Sequence, residues 1–241
     1  MRQAQVYNET NLRVDFDPDK FNSRVQEKGI NVLWEKMAAC PCRKDITSQA
    51  ISNCVNCQGT GFTFYDSKQI RAMISGASGS KNFQQWSEVL QGTVNISVDP
   101  YYKLGWYDKI VVIDADTVFS EQKLIETSYI AQDGHSASFN LHYPVLEVSN
   151  IFKFNSELSS LETINLSLVT INLVNRKNIT IQYDFDVNDK ISINYLYNPT
   201  YLIIDLLNDY RNTYTKFKRP EEFLGKMPIR ALAKKLHLVL V

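Results

Sequence analysis

Apolar side chains in this sequence recur mostly at every second position. That spacing places them on one face of a pleated strand. Ile30, Val32 and Trp34 share such a face, with Trp34 expected in the core. The run FTFYDSKQIRAMISG, residues 62–76, is strand-like, and Val94, Ile96 and Val98 alternate up to a turn at Asp99-Pro100. Lys109–Asp114 reads as a buried strand, and residues 121–150 hold further short runs with turns at Asp133-Gly134 and Pro144. From residue 161 the signal strengthens. LETINLSLVTINLV alternates and then changes phase between Leu168 and Val169, which predicts a bend or bulge. Ile179, Ile181, Tyr183 and Phe185 form one face, and Ile191, Ile193, Tyr195 and Tyr197 form the next. With Val187-Asn188-Asp189 between them, the two runs predict a hairpin. Tyr201–Leu207 adds one more strand.

Helical signals are fewer. In DPDKFNSRVQEKG, residues 17–29, Asp17 is placed to cap, Pro18 to start and Gly29 to end a short helix that carries Phe21 and Val25 on one face. PIRALAKKLHL at the far end reads as an amphipathic helix, with Pro228 near its start and Ile229, Leu232 and Leu236 on one stripe. SGASGSKNF, residues 75–83, is a plain Ser/Gly loop without the spacing of a phosphate-binding turn. The expected architecture is mainly β: a β-barrel or sandwich-like core, a small cysteine-rich zinc-binding insertion and short flanking helices. The chain divides into an N-terminal helix and lead-in strand (1–36), a zinc-ribbon-like module (37–64), a β-rich core (65–210) and a basic C-terminal segment ending in a helix (211–241).

All four cysteines fall between residues 40 and 57. Cys40-Pro-Cys42 and Cys54-Val-Asn-Cys57 form two short pairs that resemble the two knuckles of a four-thiolate zinc ribbon. Gly59 and Gly61 after the second pair would let the chain turn tightly and direct backbone N–H groups at sulfur. The first pair is one residue shorter than the usual knuckle. Structural zinc on Cys40, Cys42, Cys54 and Cys57 is the preferred reading; disulfides and metal-free thiols remain open beside it. Catalytic zinc fits poorly, because four thiolates leave no open coordination position and no histidine lies nearby in sequence.

Composition adjusts this picture in three ways. Tyr (13) and Phe (12) are abundant, which reinforces the strand reading. No run of eighteen apolar residues occurs, so no membrane span is expected, and residues 1–17 show no apolar signal region. The zero net charge hides a separation: residues 114–162 carry eight acids against two lysines, and residues 211–241 carry eight bases against two acids. Opposite fields of this kind suit head-to-tail assembly, or neutralise each other inside one fold. Lys234 and Lys235 are candidates for contact with passing nucleic acid. His135 and His142 match no metal spacing, and Asp114 and Asp116 read as turn or rim residues. No nucleophile elbow, zincin, kinase or P-loop motif occurs, so a non-enzymatic role is expected.

Together, NVLWEKMAACPC, CVNCQGTG, the all-β middle, INYLYNPTYLIIDLLNDYR and KMPIRALAKKL resemble the neck or head–tail connector proteins of tailed bacteriophages. The resemblance spans most of the chain. It implies a homo-oligomeric ring of stopper, collar or tail-terminator type, joining portal or adaptor proteins to tail proteins around genomic double-stranded DNA. It implies a virion location and assembly in a reducing host cytoplasm, which favours zinc over disulfides. The alternative is a zinc-ribbon module that binds nucleic acid or protein within a larger complex.

Overall fold

The computed structural model describes residues 18–43, 49–51, 54–57, 60–76, 91–131, 134–155, 160–206, 212–214, 224–226 and 229–239. Helix α1 (Pro18–Lys28) opens the described chain, with Lys28 in its last turn where a cation complements the helix dipole. It packs on the barrel strands described next and buries Val25 completely. A Cβ on Gly29 would lie 2.3 Å from the Val25 carbonyl oxygen, so the close exit from the helix requires glycine.

Six antiparallel strands close into a barrel: β1 (Ile30–Ala39), β2 (Phe62–Gly76), β3 (Thr93–Val98), β4 (Lys109–Val112), β12 (Thr200–Leu206) and β15 (Ile229–Lys235). Their order is β1-β2-β3-β15-β12-β4, and β4 pairs back onto β1. Closure removes the exposed edges that a flat sheet of these strands would leave. Val32, Trp34, Ile70, Ile96, Ile110 and Ile203 fill the interior. Lys109–Asp114 is shorter than expected: β4 stops at Val112, and Asp114 on the rim accepts the Asn31 backbone N–H at 2.7 Å.

The C-terminal segment is not an amphipathic α-helix; among the described residues only a 3₁₀ turn, Leu236–Leu238, is helical in it. Ile229–Lys235 is strand β15, paired on one side with β3 and on the other with β12. Alternation wins over the helical stripe because Ala231 and Ala233, both fully buried, belong to the barrel core. Pairing on both edges satisfies the backbone groups and overrides the helix preference of Ala, Leu and Lys. Ala231→Leu is expected to cost about 1–3 kcal/mol by overpacking. Urea unfolding checks this, with a Leu at the exposed Arg230 as the control that leaves the midpoint in place.

Between β4 and β12 the chain leaves the barrel and builds a second, sandwich-like unit. One sheet has the order β5 (Thr117–Leu124), β11 (Lys190–Tyr197), β7 (Glu147–Asn155), β8 (Ser160–Ile164). The other has the order β6 (Ala137–Asn140), β10 (Asn178–Ile181), β9 (Val169–Ile171). Phe139, Ile151, Ile179, Ile181, Ile193 and Tyr195 are fully buried between them. A separate pair, β13 (Asn212–Tyr214) and β14 (Leu224–Lys226), follows β12.

One sequence expectation changes here and another is narrowed. Residues 178–185 and 190–197 do not form a hairpin: β10 pairs with β6 and β9, and β11 pairs with β5 and β7. The two apolar faces meet across the core instead of lying side by side, an arrangement that produces the same alternation. The phase change at Leu168 is the bend of the two alternatives and takes the form of a corner. The Asn165 carboxamide accepts the Ser167 N–H, a 3₁₀ turn spans Leu166–Leu168, and the chain passes from one sheet to the other. The sheets also group the chain differently from the breaks at 36, 64 and 210, since residues 117–197 form an insertion within the barrel. The Ser/Gly loop beyond Gly76 and the basic stretch 215–219 lie outside the described residues.

Candidate metal centre

The long connection between β1 and β2 carries the cysteines. Cys40 directly follows β1, and its N–H donates to the Gly61 carbonyl at 2.9 Å, which closes the base of the module one step beyond the last strand pair, Ala39 with Phe62. The Arg43 N–H donates to the Cys40 carbonyl at 3.1 Å, and the Cys54 N–H to the Ile51 carbonyl at 3.1 Å. Thr60 holds the far side: its N–H and its hydroxyl both donate to the Cys57 carbonyl, at 3.0 and 2.7 Å. Gly61 sits at φ +75°, and a Cβ there would come within 2.9 Å of the Arg43 side chain. The left-handed backbone and the tight approach both call for glycine. Gly59 lies outside the described residues.

The four sulfurs converge. All Sγ atoms lie within 4.8 Å of one another; Cys40 and Cys54 are 3.7 Å apart, and Cys42 and Cys57 are 3.5 Å apart. The thiols are free, and these separations far exceed a disulfide bond of about 2.05 Å. A tetrahedron with metal–sulfur bonds of about 2.3 Å has edges of about 3.8 Å, so the spacing matches a four-thiolate ion site. The short Cys40-Pro-Cys42 pair therefore contributes both of its sulfurs to the cluster. Cys40 and Cys57 are buried and Cys42 and Cys54 partly so, as expected for a closed structural site.

Backbone donors prepare one sulfur for the thiolate form. The N–H groups of Cys57 and Asn56 point at Cys54 and bring its thiol down to about 6. At Cys42 the Ile51 N–H acts in the same direction, but burial and the neighbouring thiols push it up to about 12. Burial and the neighbouring thiols therefore act against the thiolate at Cys42, while backbone donors favour it at Cys54. A divalent ion would replace the thiol protons.

Aromatic contacts fix the module to the barrel. Phe62 stacks on Tyr107 at 5.5 Å, and the Arg43 guanidinium lies 5.2 Å from the Phe62 ring centre. Asp108 is buried beneath: it accepts the Trp34 indole N–H at 2.8 Å, the Gly105 N–H at 2.7 Å and the Met37 N–H at 3.1 Å. A cleft of about 620 Å³ opens beside Cys57, between the barrel and the sandwich, with Glu35, Lys109, His142 and Lys177 among its polar walls.

The histidines play no part in the cysteine cluster. Exposed His135 pairs with Asp184 at 2.7 Å. His142 pairs with Glu121 at 2.9 Å, and Glu121 is the buried group that sequence reasoning missed. Glu121 also accepts the Tyr195 hydroxyl and the His142 backbone N–H at 2.8 Å, and it meets Lys123 at 3.1 Å. Burial pushes its carboxyl up, but the Tyr195 and His142 donors outweigh burial and hold it below the usual range. An available signal was its inward position on β5, two residues from core-packed Phe119. Nearby, the Tyr143 hydroxyl is hydrogen-bonded to His237 Nδ1 and accepts the His237 backbone N–H at 3.1 Å, tying the sandwich to the chain that leaves β15. No protein-family model and no curated protein matches the chain.

Proposed function

We propose that this chain is a non-enzymatic structural subunit of a tailed-phage virion neck: one member of a ring that joins portal and tail around the DNA channel. Its four thiolates, Cys40, Cys42, Cys54 and Cys57, hold one structural Zn²⁺ that pins the β1–β2 connection to the barrel. Zinc suits the site because four thiolates complete its tetrahedral shell and leave it no reactive position.

One observation carries the assembly part of this reading. Among the described residues, no ion pair joins an acid of 114–162 to a base of 211–241; the pairs formed are Lys68–Asp66, Lys109–Glu35, Lys123–Glu121, His135–Asp184, His142–Glu121 and Lys153–Asp189. The acidic stretch belongs to the sandwich and the basic stretch includes β15 of the barrel. Opposite charges on different units, unpaired with each other among the described residues, favour contact between neighbouring subunits. Charge reversal at Lys234 and Lys235 is expected to shift the protein toward smaller species in sedimentation velocity at low salt. An assembly of unchanged mass in a folded K234E/K235E variant would remove this support.

A further inference from the structure

The segment DPYYKLGWYD, residues 99–108, links β3 to β4 and interleaves aromatic side chains with a cation. Its neighbours extend the pattern. Tyr101 meets Tyr102 edge-on at 5.5 Å and lies close enough to Lys68 to act on its charge. Tyr102 meets the Trp34 ring edge at 6.2 Å, and Lys36 stands 5.5 Å from that ring centre. Opposite Lys36 in the ladder is Tyr65, and opposite Trp34 is Lys68. The far end runs through Tyr107 and Phe62 to Arg43 on the cysteine module. Residues 34–36, 65–68 and 101–107 thus form a strip of rings and cations along one side of the barrel, anchored on Trp34, which is itself buried at 3% exposure.

Much of the strip faces solvent. Tyr101 is 84% exposed, Tyr65 53%, Trp106 51% and Tyr107 37%. The strip is also rigid. The Asp99 side chain accepts the Tyr101 N–H at 2.8 Å, the Tyr107 N–H donates to the Ile203 carbonyl at 2.8 Å, and buried Asp108 ties the loop to β1. Tyr107 has φ 61°, a left-handed conformation that a bulky side chain adopts only at a cost. One face of the Tyr107 ring stacks on Phe62, and the ring is still 37% exposed.

We infer that this strip binds single-stranded nucleic acid without sequence preference, the bases stacking on Tyr101, Trp106 and Tyr107 and the phosphates meeting Lys36, Lys103 and, in place of its Asp66 partner, Lys68. Every base offers a π-face to an exposed ring, and neighbouring cations supply partners for the phosphates. A duplex hides its base faces and gains only the charge term. The reading is independent of ring assembly, since it concerns one chain and one surface.

Fluorescence anisotropy of the full chain with end-labelled dT12 tests it, together with quenching of tryptophan emission. Saturable binding is expected, weaker for a twelve-base-pair duplex. Tyr101→Ala and Trp106→Ala should each weaken it about tenfold. Three phosphate contacts should give a log–log salt slope of about −2. Tyr101 is the safer variant, because its ring makes only surface contacts, and unchanged thermal unfolding shows that the fold is intact. Absence of saturable binding overturns the inference. So does binding that both alanine variants leave unchanged or that heparin matches, because either outcome reduces the strip to a general polyanion surface.

Discussion

Cys57→Ser is expected to release the metal and open the β1–β2 connection while the sandwich stays folded. Cys57 is one of four convergent sulfurs, and its carbonyl also receives both Thr60 hydrogen bonds. A serine hydroxyl cannot replace a thiolate in a soft-ligand shell. Structural zinc sites contribute about 10–16 kcal/mol of apparent binding free energy to small domains, far more than the few backbone bonds that remain in this module. The amides of Cys40, Arg43, Cys54 and Thr60, all hydrogen-bonded within the module, should lose hydrogen-exchange protection together. A strong chelator under reducing conditions should reproduce the effect in the wild type. Protection that persists in metal-free protein would mean that the thiols pack without an ion.

Glu121→Ala should bring the largest loss in the sandwich, about 3–5 kcal/mol by urea unfolding. Removing that carboxylate leaves the Lys123 ammonium, the His142 ring and N–H and the Tyr195 hydroxyl without their acceptor. Glu121→Gln keeps an acceptor oxygen and should cost less. The same region sets the acid response. Burial holds His237 below its ordinary 6.5, so the unfolded chain takes up that proton first and stability declines as pH falls from about 6.5. Glu121 is held below its ordinary 4.5; its contribution is complete above that value and is lost as pH falls through the lower folded value. Thermal midpoints measured from pH 8 to pH 3 should be flat at first and then fall in two stages. A midpoint that rises on acidification would contradict both assignments.

The cysteine site was legible because metal binding is written in residue type and short spacing, and both pairs reached the cluster. The short Cys40-Pro-Cys42 pair could be resolved only by the backbone, which folds it under Gly61. Strand alternation revealed the β content and the buried faces of Ile191, Ile193, Tyr195 and Tyr197. It could not say which strands pair. A face of alternating apolar residues packs equally well beside its sequence neighbour or opposite it, and β10 and β11 take the second course. The C-terminal segment carries both periods at once. Leu232 and Leu236 suit a helix, Ala231 and Ala233 suit a barrel interior, and only the gap between β3 and β12 decides. Glu121 stayed hidden because its partners Tyr195, His142 and Lys123 come from different strands and loops. The aromatic strip needed the barrel to bring residues 34–36, 65–68 and 101–107 to one side.

Native mass spectrometry of the purified chain under reducing conditions tests the central claim most directly, because it reads metal content and assembly in one spectrum. One zinc ion per chain in a closed ring of identical subunits is the expected result. A stable monomer with no bound metal would contradict both the structural zinc site and the ring.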